Sequence, residues 1–202
     1  MKKSAFNIES QQKSLTSKVV VGLERISEVF KSLLWEQAKA TGLSPIQIQI
    51  LVFLTYHKSN LCKVSYLAHE FNVTKPTISD AVRVLLLKGL VEKKDAGGDS
   101  RSYILGLTKV GNQLIADIEQ FAAPVDQEVA KLDNNQLTTV YQTLTELIYQ
   151  LNQSGVLSVQ RTCYLCSFYE KKSAGHYCHF LEQKLSDTEI RIDCPEYESK
   201  SN

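Results

Sequence analysis

The tightest constraint on how this chain folds lies between Val64 and Thr108, centred on the run from Thr74 to Arg83. Apolar residues fall at 78, 81, 82, 85 and 86, the i, i+3, i+4, i+7, i+8 stripe of an amphipathic helix. Thr74 is a good N-cap, Pro76 sits in the first turn where a missing N–H costs little, and Gly89 stops the helix after Lys88. The face away from the stripe carries Thr77, Ser79, Asp80 and Arg83, small hydrogen-bonding groups and one cation. Long acidic side chains are missing from it.

Just upstream, Val64–Phe71 reads as a shorter helix, with Asn72 and Val73 making the turn between the two. Helix, tight turn and capped second helix is the helix-turn-helix layout, whose second helix enters the DNA major groove. Downstream, Leu90–Lys94 and Ser102–Leu107 alternate as strands, and Asp95–Arg101 joins them with turn residues into a β-hairpin wing. Lys75, Thr77, Ser79, Asp80 and Arg83 would line the groove. Arg83 can bond a guanine edge or a phosphate, Thr77 and Ser79 either, and Asp80 can accept from a cytosine amine. An arginine near a hairpin tip, here Arg101, can reach a narrow minor groove, where the negative potential is strongest.

Taken singly these pieces are common, since most amphipathic helices only face a core. Their order is what carries meaning. The sequence from Val64 to Gly111 resembles the winged helix-turn-helix core of MarR-type transcription regulators. The matches are Leu67-Ala68, Val73 to Ser79, Lys88 to Val91, Asp99 to Ser102 in the wing, and Leu107-Thr108-x-x-Gly111. The resemblance implies a dimeric regulator of transcription, a repressor, that binds double-stranded DNA. It implies that Arg101 enters the minor groove with Asp99 holding the wing. It also implies that the homodimer is built from the terminal helices, and that a small-molecule effector, often an aromatic acid, is a partner.

The net charge of +1 over 202 residues argues against a polybasic coat protein but not against local DNA binding. Residues 60–110 hold eight Lys and Arg against five Asp and Glu, a mild excess in the right place. The lysines of the opening Met-Lys-Lys are followed by no apolar core, so a signal peptide is not expected, and no apolar run approaches membrane-spanning length. A soluble, cytoplasmic protein is the expectation. An enzyme is not expected: no nucleophile with neighbouring His and Asp spacing stands out, nor a Gly-rich phosphate loop.

A long helix is expected from Leu15 to about Ala40, with Val19, Leu23, Ile26, Phe30, Leu33 and Leu34 on one side and Gly42 ending it. Ser44-Pro45-Ile46-Gln47 opens the next as a capping box with Pro at its first position. Cys62 is expected in a short third strand. Beyond the wing, Thr108 caps a helix that Pro124 should kink or break, and Asp133 opens a last one through Leu151. The flanking helices carry more apolar stripe than a small winged unit can cover, which suggests self-association. The fold class expected is mainly α with a small β-hairpin wing, with 1–155 as one unit (DNA-binding lobe about 44–110) and 156–202 as a cysteine-rich tail.

Four of the five cysteines lie in that tail, as Cys163-x2-Cys166-x11-Cys178-x15-Cys194. The first two form a tight knuckle suited to one tetrahedral metal, and the other two can complete four ligands. Soft thiolates favour zinc or an iron–sulfur cluster. Disulfides would suit this density only in an oxidising compartment. An all-cysteine set leaves no open position for catalysis, and His176 or His179 could replace one ligand. The segment ending at Glu196 also resembles a tail carried by some MarR-like regulators. Two roles follow for it: a structural zinc module, or a redox- or metal-responsive input to the DNA-binding part.

Overall fold

A computed structural model describes residues 4–95, 103–172 and 175–200, mainly helical with two small antiparallel sheets. A short helix, α1 (Ile8–Lys13), runs into the long α2 (Leu15–Thr41), which Ser14 caps by accepting the Ser17 N–H. Gly42 closes α2 in the left-handed region at φ 65°, where a side chain would be strained. The chain then enters α3 (Pro45–Tyr56), where the Ser44 N–H donates to Gln47 Oε1 at 2.9 Å.

Four of the twelve α3 residues (Ile48, Ile50, Leu51 and Phe53) are hydrophobics with at most 4% exposure, so this helix is the hub of the core. Its sequence is apolar nearly all round because neighbours cover it on several sides. Against it pack α4 (Val64–Glu70) through Leu67, α5 (Lys75–Leu87) through Ile78 and Leu85, and α6 (Lys109–Ile118) through Ile115 and Ile118. The turn between α4 and α5 uses Asn72 at φ 52°, and the Val73 N–H donates to Ala68 O at 3.0 Å. Gly89 at φ 65° turns the chain out of α5.

Strands β1 (Val91–Asp95) and β2 (Tyr103–Leu107) pair antiparallel, Val91 opposite Leu107 and Asp95 opposite Tyr103. The hairpin of the winged helix-turn-helix is therefore present at its base. Its tip, with Asp99 and Arg101, lies outside the described residues. Cys62 is not in a strand, contrary to expectation: it follows a 3-10 turn (Ser59–Leu61), and one hydrogen bond, from Leu105 N–H to Cys62 O at 2.8 Å, ties it to the hairpin. A single bond does not make a ladder. Thr108 caps α6 by accepting the Gly111 N–H at 3.0 Å.

The helix expected to break at Pro124 breaks earlier, in a 3-10 stretch (Glu119–Ala122). Pro124 sits in the first turn of the following α7 (Ala123–Val129), where its ring is tolerated. Asp133 then caps α8 (Asn134–Gln153) through a capping box with Gln136. The remainder forms a small sheet of β3 (Tyr169–Lys172), β4 (Gly175–Cys178) and β5 (Gln183–Leu185), order β3-β4-β5. Among the described residues its buried hydrophobic cluster is Cys163, Leu185 and Ile190, with the half-buried Tyr164, Tyr169 and Cys178 packed against it. Among the described residues no helix is long and apolar enough to cross a membrane.

Candidate nucleic-acid interface and cysteine cavity

On α5 four of the five stripe residues are buried, and the fifth, Leu86, is half-buried. Ile78, Ala81, Val82 and Leu85 are buried, whereas Lys75, Thr77, Ser79, Asp80 and Arg83 are all exposed on the other side. Thr74 accepts the Thr77 N–H at 3.3 Å, which fixes the start of the helix at the end where those groups begin. Arg83 donates to Asp80 Oδ1 at 3.1 Å, with the two side chains 68% and 73% exposed. A pair so open to water contributes little to stability, so both groups can exchange this contact for another partner at low cost. Beside them β1 exposes Lys93 and Lys94, and Lys93 Nζ lies 4.3 Å from the centre of the Tyr103 ring.

Cys163, Cys166, Cys178 and Cys194 line one cavity of about 260 Å³, together with Tyr141 of α8. All are free thiols. Cys163 and Cys166 bracket a 3-10 turn in which the Cys166 N–H donates to Cys163 O at 3.0 Å. Cys178 ends β4, and Cys194 is held by its N–H to Arg161 O at 3.0 Å. The Arg191 N–H donates to Cys163 Sγ at 3.2 Å. Burial pushes the Cys163 thiol up and that N–H opposes it, while charge on Cys194, Cys166 and Cys178 pushes it further up. These are thiols close enough to feel one another. Among the described residues, however, no three His, Cys, Asp or Glu side chains are drawn into a set that could hold a metal ion.

Neither candidate histidine faces the cysteines. His176 is 9% exposed, and both ring nitrogens are engaged, Nδ1 with the Tyr169 hydroxyl at 2.6 Å and Nε2 with Asp187 at 2.9 Å. His179 Nε2 meets Glu170 at 2.9 Å on the surface. The same burial drives the Tyr169 hydroxyl up to about 12.

Arg161 gave no sequence signal, yet it is among the most heavily bonded side chains described. Only 8% exposed, it donates to Asp193 (2.5 and 2.8 Å), Glu70 (2.6 and 3.2 Å) and the Tyr66 hydroxyl (2.8 Å). Burial opposes its charge, but those hydrogen bonds outweigh burial and hold the guanidinium's pKa above its ordinary value. Asp193 is held below the usual carboxylate range: burial opposes its charge, and the bonds from Arg161 and His57 prevail.

In comparison with known proteins, residues 41–102 match the model of the MarR family. No curated protein matches the chain by sequence. Among solved structures the fold is similar to Staphylococcus aureus MepR in a DNA complex, at 22% identity and TM-score 0.57, covering 65% of this chain and 97% of that one. It is similar to the transcriptional regulator PA3341 at 27% identity and TM-score 0.58, covering 67% and 98%. It also resembles S. aureus MarR in complex with salicylate and kanamycin, at 16% identity and TM-score 0.60, covering 75% and 99%. The stretch from 41 to 102 thus carries the MarR-family sequence pattern, and the chain around it has the MarR-type winged helix-turn-helix fold.

Proposed function

We propose that the protein is a homodimeric, sequence-specific DNA-binding transcription regulator, acting as a repressor. The observation that carries this is the exposed polar face of α5, free of contact with the apolar core, with β1 exposing Lys93 and Lys94 together with Glu92 and Asp95. Lys75, Thr77, Ser79, Asp80 and Arg83 then meet the major groove, and Arg101 and Asp99 act from the wing. Enrichment of a pseudo-palindromic duplex from a random library by the full chain is the direct test; failure to enrich any sequence rejects specific binding. With that duplex, Arg83→Ala is expected to weaken binding about tenfold and, if it meets a phosphate, to reduce the salt slope by about 0.9. Unchanged affinity at every salt concentration removes Arg83 from the interface.

Self-association is supported by α2, where Val19, Val20, Leu23, Ile26, Val29 and Phe30 remain 37–52% exposed. A stripe of that length on a monomer is a surface awaiting a partner. Replacing Leu23 and Phe30 together by Glu is expected to give monomers in sedimentation and to lower affinity for a two-half-site duplex by about 100-fold. A variant that stays dimeric places the interface elsewhere.

For the four cysteines the reading is one structural zinc ion, with an iron–sulfur cluster as the other thiolate-bound group. A cysteine side chain swings between staggered rotamers with the backbone fixed, so thiols sharing one cavity can close on an ion. The second reading, that this site is a redox- or metal-responsive input, is favoured by the path from Cys194 through Asp193 to α4. A small aromatic acid is the effector class suggested by the salicylate held by S. aureus MarR.

A further inference from the structure

The residues after α8 touch two separate parts of the protein. On one side they meet α8: the Tyr141 hydroxyl donates to Ile190 O, Gln142 donates to Asp187 at 2.7 Å, and the Tyr149 and Tyr164 rings lie 5.3 Å apart. On the other side they meet the helix-turn-helix itself. Arg161 is bound to Glu70 and Tyr66, both on α4, and Ser158 donates to Asn72 in the turn before α5 at 2.9 Å. Lys58 donates to Glu196 at 2.9 Å, and His57 Nε2 lies 2.8 Å from Asp193.

The contacts to α4 are welded to the cysteines. Arg161 lies two residues before Cys163, and Asp193 directly precedes Cys194. The two short runs are paired by a parallel bridge between Arg161 and Asp193, and by Cys163 N–H to Arg191 O at 3.1 Å. The carboxylate that orients the Arg161 guanidinium therefore rides on the same turn as one of the four thiols. Beyond that bridge the turn is tied by hydrogen bonds, Cys194 N–H to Arg161 O and His57 to Asp193 among them. The local buried cluster holds Cys163, Leu185 and Ile190, with Tyr164, Tyr169 and Cys178 packed against it. So small a cluster contributes little burial of its own, so a cross-link through the thiols would stiffen the turn.

We propose that residues 156–200 are a brace between α8 and the helix-turn-helix, stiffened by a soft divalent metal on the four thiolates, so that metal occupancy sets the strength of DNA binding. This rests on the DNA-binding reading above and deepens it. Arg161 is the positioning residue: it touches neither metal nor DNA and passes the state of the cysteine turn to Glu70. With the metal in place Asp193 is fixed, the guanidinium is locked in its fork, and α4 is held at one angle to α8. With the metal gone the Cys194 turn loosens, Asp193 leaves, and α4 and the α5 behind it are free to rock. Coupling of this kind needs a two-state element that both sites bias, which the brace supplies.

The test uses the full-length chain loaded with Zn²⁺ or stripped with a chelator under reducing conditions. Amide exchange is followed in residues 64–73, alongside affinity for the enriched duplex. Stripping is expected to speed exchange across α4 about tenfold and to weaken DNA binding about tenfold, the usual span of such couplings. Arg161→Met is expected to keep one zinc per chain while α4 exchanges fast whether zinc is present or not. Glu70→Gln, a gentler change on the other side of the contact, should blunt the same response. Failure to bind one zinc per chain overturns the proposal. So does α4 exchange that ignores stripping, or a full metal response surviving in both variants. If α4 follows the metal but no duplex is bound in either state, the brace stands and the regulator reading falls.

Discussion

Adding one methyl group at Gly111, as Gly111→Ala, is expected to cost the winged lobe about 3 kcal/mol or more, at the upper end of overpacking substitutions. A Cβ there would lie 2.0 Å from the carbonyl oxygen of Leu90 and 3.1 Å from its carbon, far inside contact distance and against backbone. That oxygen cannot step aside cheaply. It accepts the Thr108 N–H at 3.1 Å and the Thr108 hydroxyl at 3.2 Å, the bonds that join the end of the hairpin to α6. Leu90 is itself 6% exposed in the core, so moving its carbonyl also moves a packed side chain. Helix propensity pulls the other way, since Ala is favoured over Gly in a helix by about 1 kcal/mol, but the steric effect is the larger. Denaturant unfolding followed by circular dichroism reads the result. A midpoint shift worth less than about 0.5 kcal/mol, the range of inconsequential surface changes, would show that α6 can slide away from the hairpin.

What the sequence disclosed, and what it hid, divides along the range of the interactions involved. The burial of Ile78, Ala81, Val82 and Leu85 was legible because helix periodicity is local: each residue's face is set by neighbours three and four positions away. The caps at Ser14, Thr74, Thr108 and Asp133 have the same origin in groups one turn apart, although only the last three were expected. The stripe of α2 was readable as well: Val19, Leu23, Ile26 and Phe30 stay exposed in the chain, while Leu34 at its end is buried in the core. Cys62 misled because an apolar residue before a helix reads equally as strand or turn, and the deciding bond comes from Leu105, 43 positions on. Arg161 could not be found in that way. Its partners Tyr66, Glu70 and Asp193 lie 95, 91 and 32 positions distant, and nothing in its own neighbourhood marks an arginine for burial. The one available hint was symmetry: a cation just before the first cysteine of the cluster and a carboxylate just before the last. The four cysteines singled out by their spacing line one cavity, though no three of the described His, Cys, Asp or Glu side chains form a set that could hold a metal. The two histidines bond instead to Tyr169, Asp187 and Glu170.

Exchanging Cys163 and Cys166 together for Ser is expected to unfold the chain beyond α8 while leaving the α3-centred core standing. The size of the effect separates a metal-held segment from one held by packing. Serine is close to cysteine in shape, and both positions are nearly buried, at 7% and 6% exposure. Without a metal the change amounts to burying two hydroxyls in place of two thiols, about 1–3 kcal/mol for each if it finds no partner. With a metal it removes half of the ligands from a site whose binding free energy, on the order of 10 kcal/mol for structural zinc, is also folding free energy. A cluster of three buried hydrophobic residues cannot make up that difference. Limited trypsin digestion with zinc and reductant present therefore gives a clear contrast. Lys171, Lys172, Lys184 and Arg191 should be protected in the parent chain and cut rapidly in the double variant, whose zinc content falls below one per chain. Cys62→Ser serves as the control, because Cys62 is 1% exposed within the other core cluster and its loss should leave both zinc content and the digestion pattern of the segment unchanged. If instead the double variant resists trypsin like the parent, then packing against α8 and the Arg161 bonds are enough to hold the segment, and the four thiols have no part in its stability.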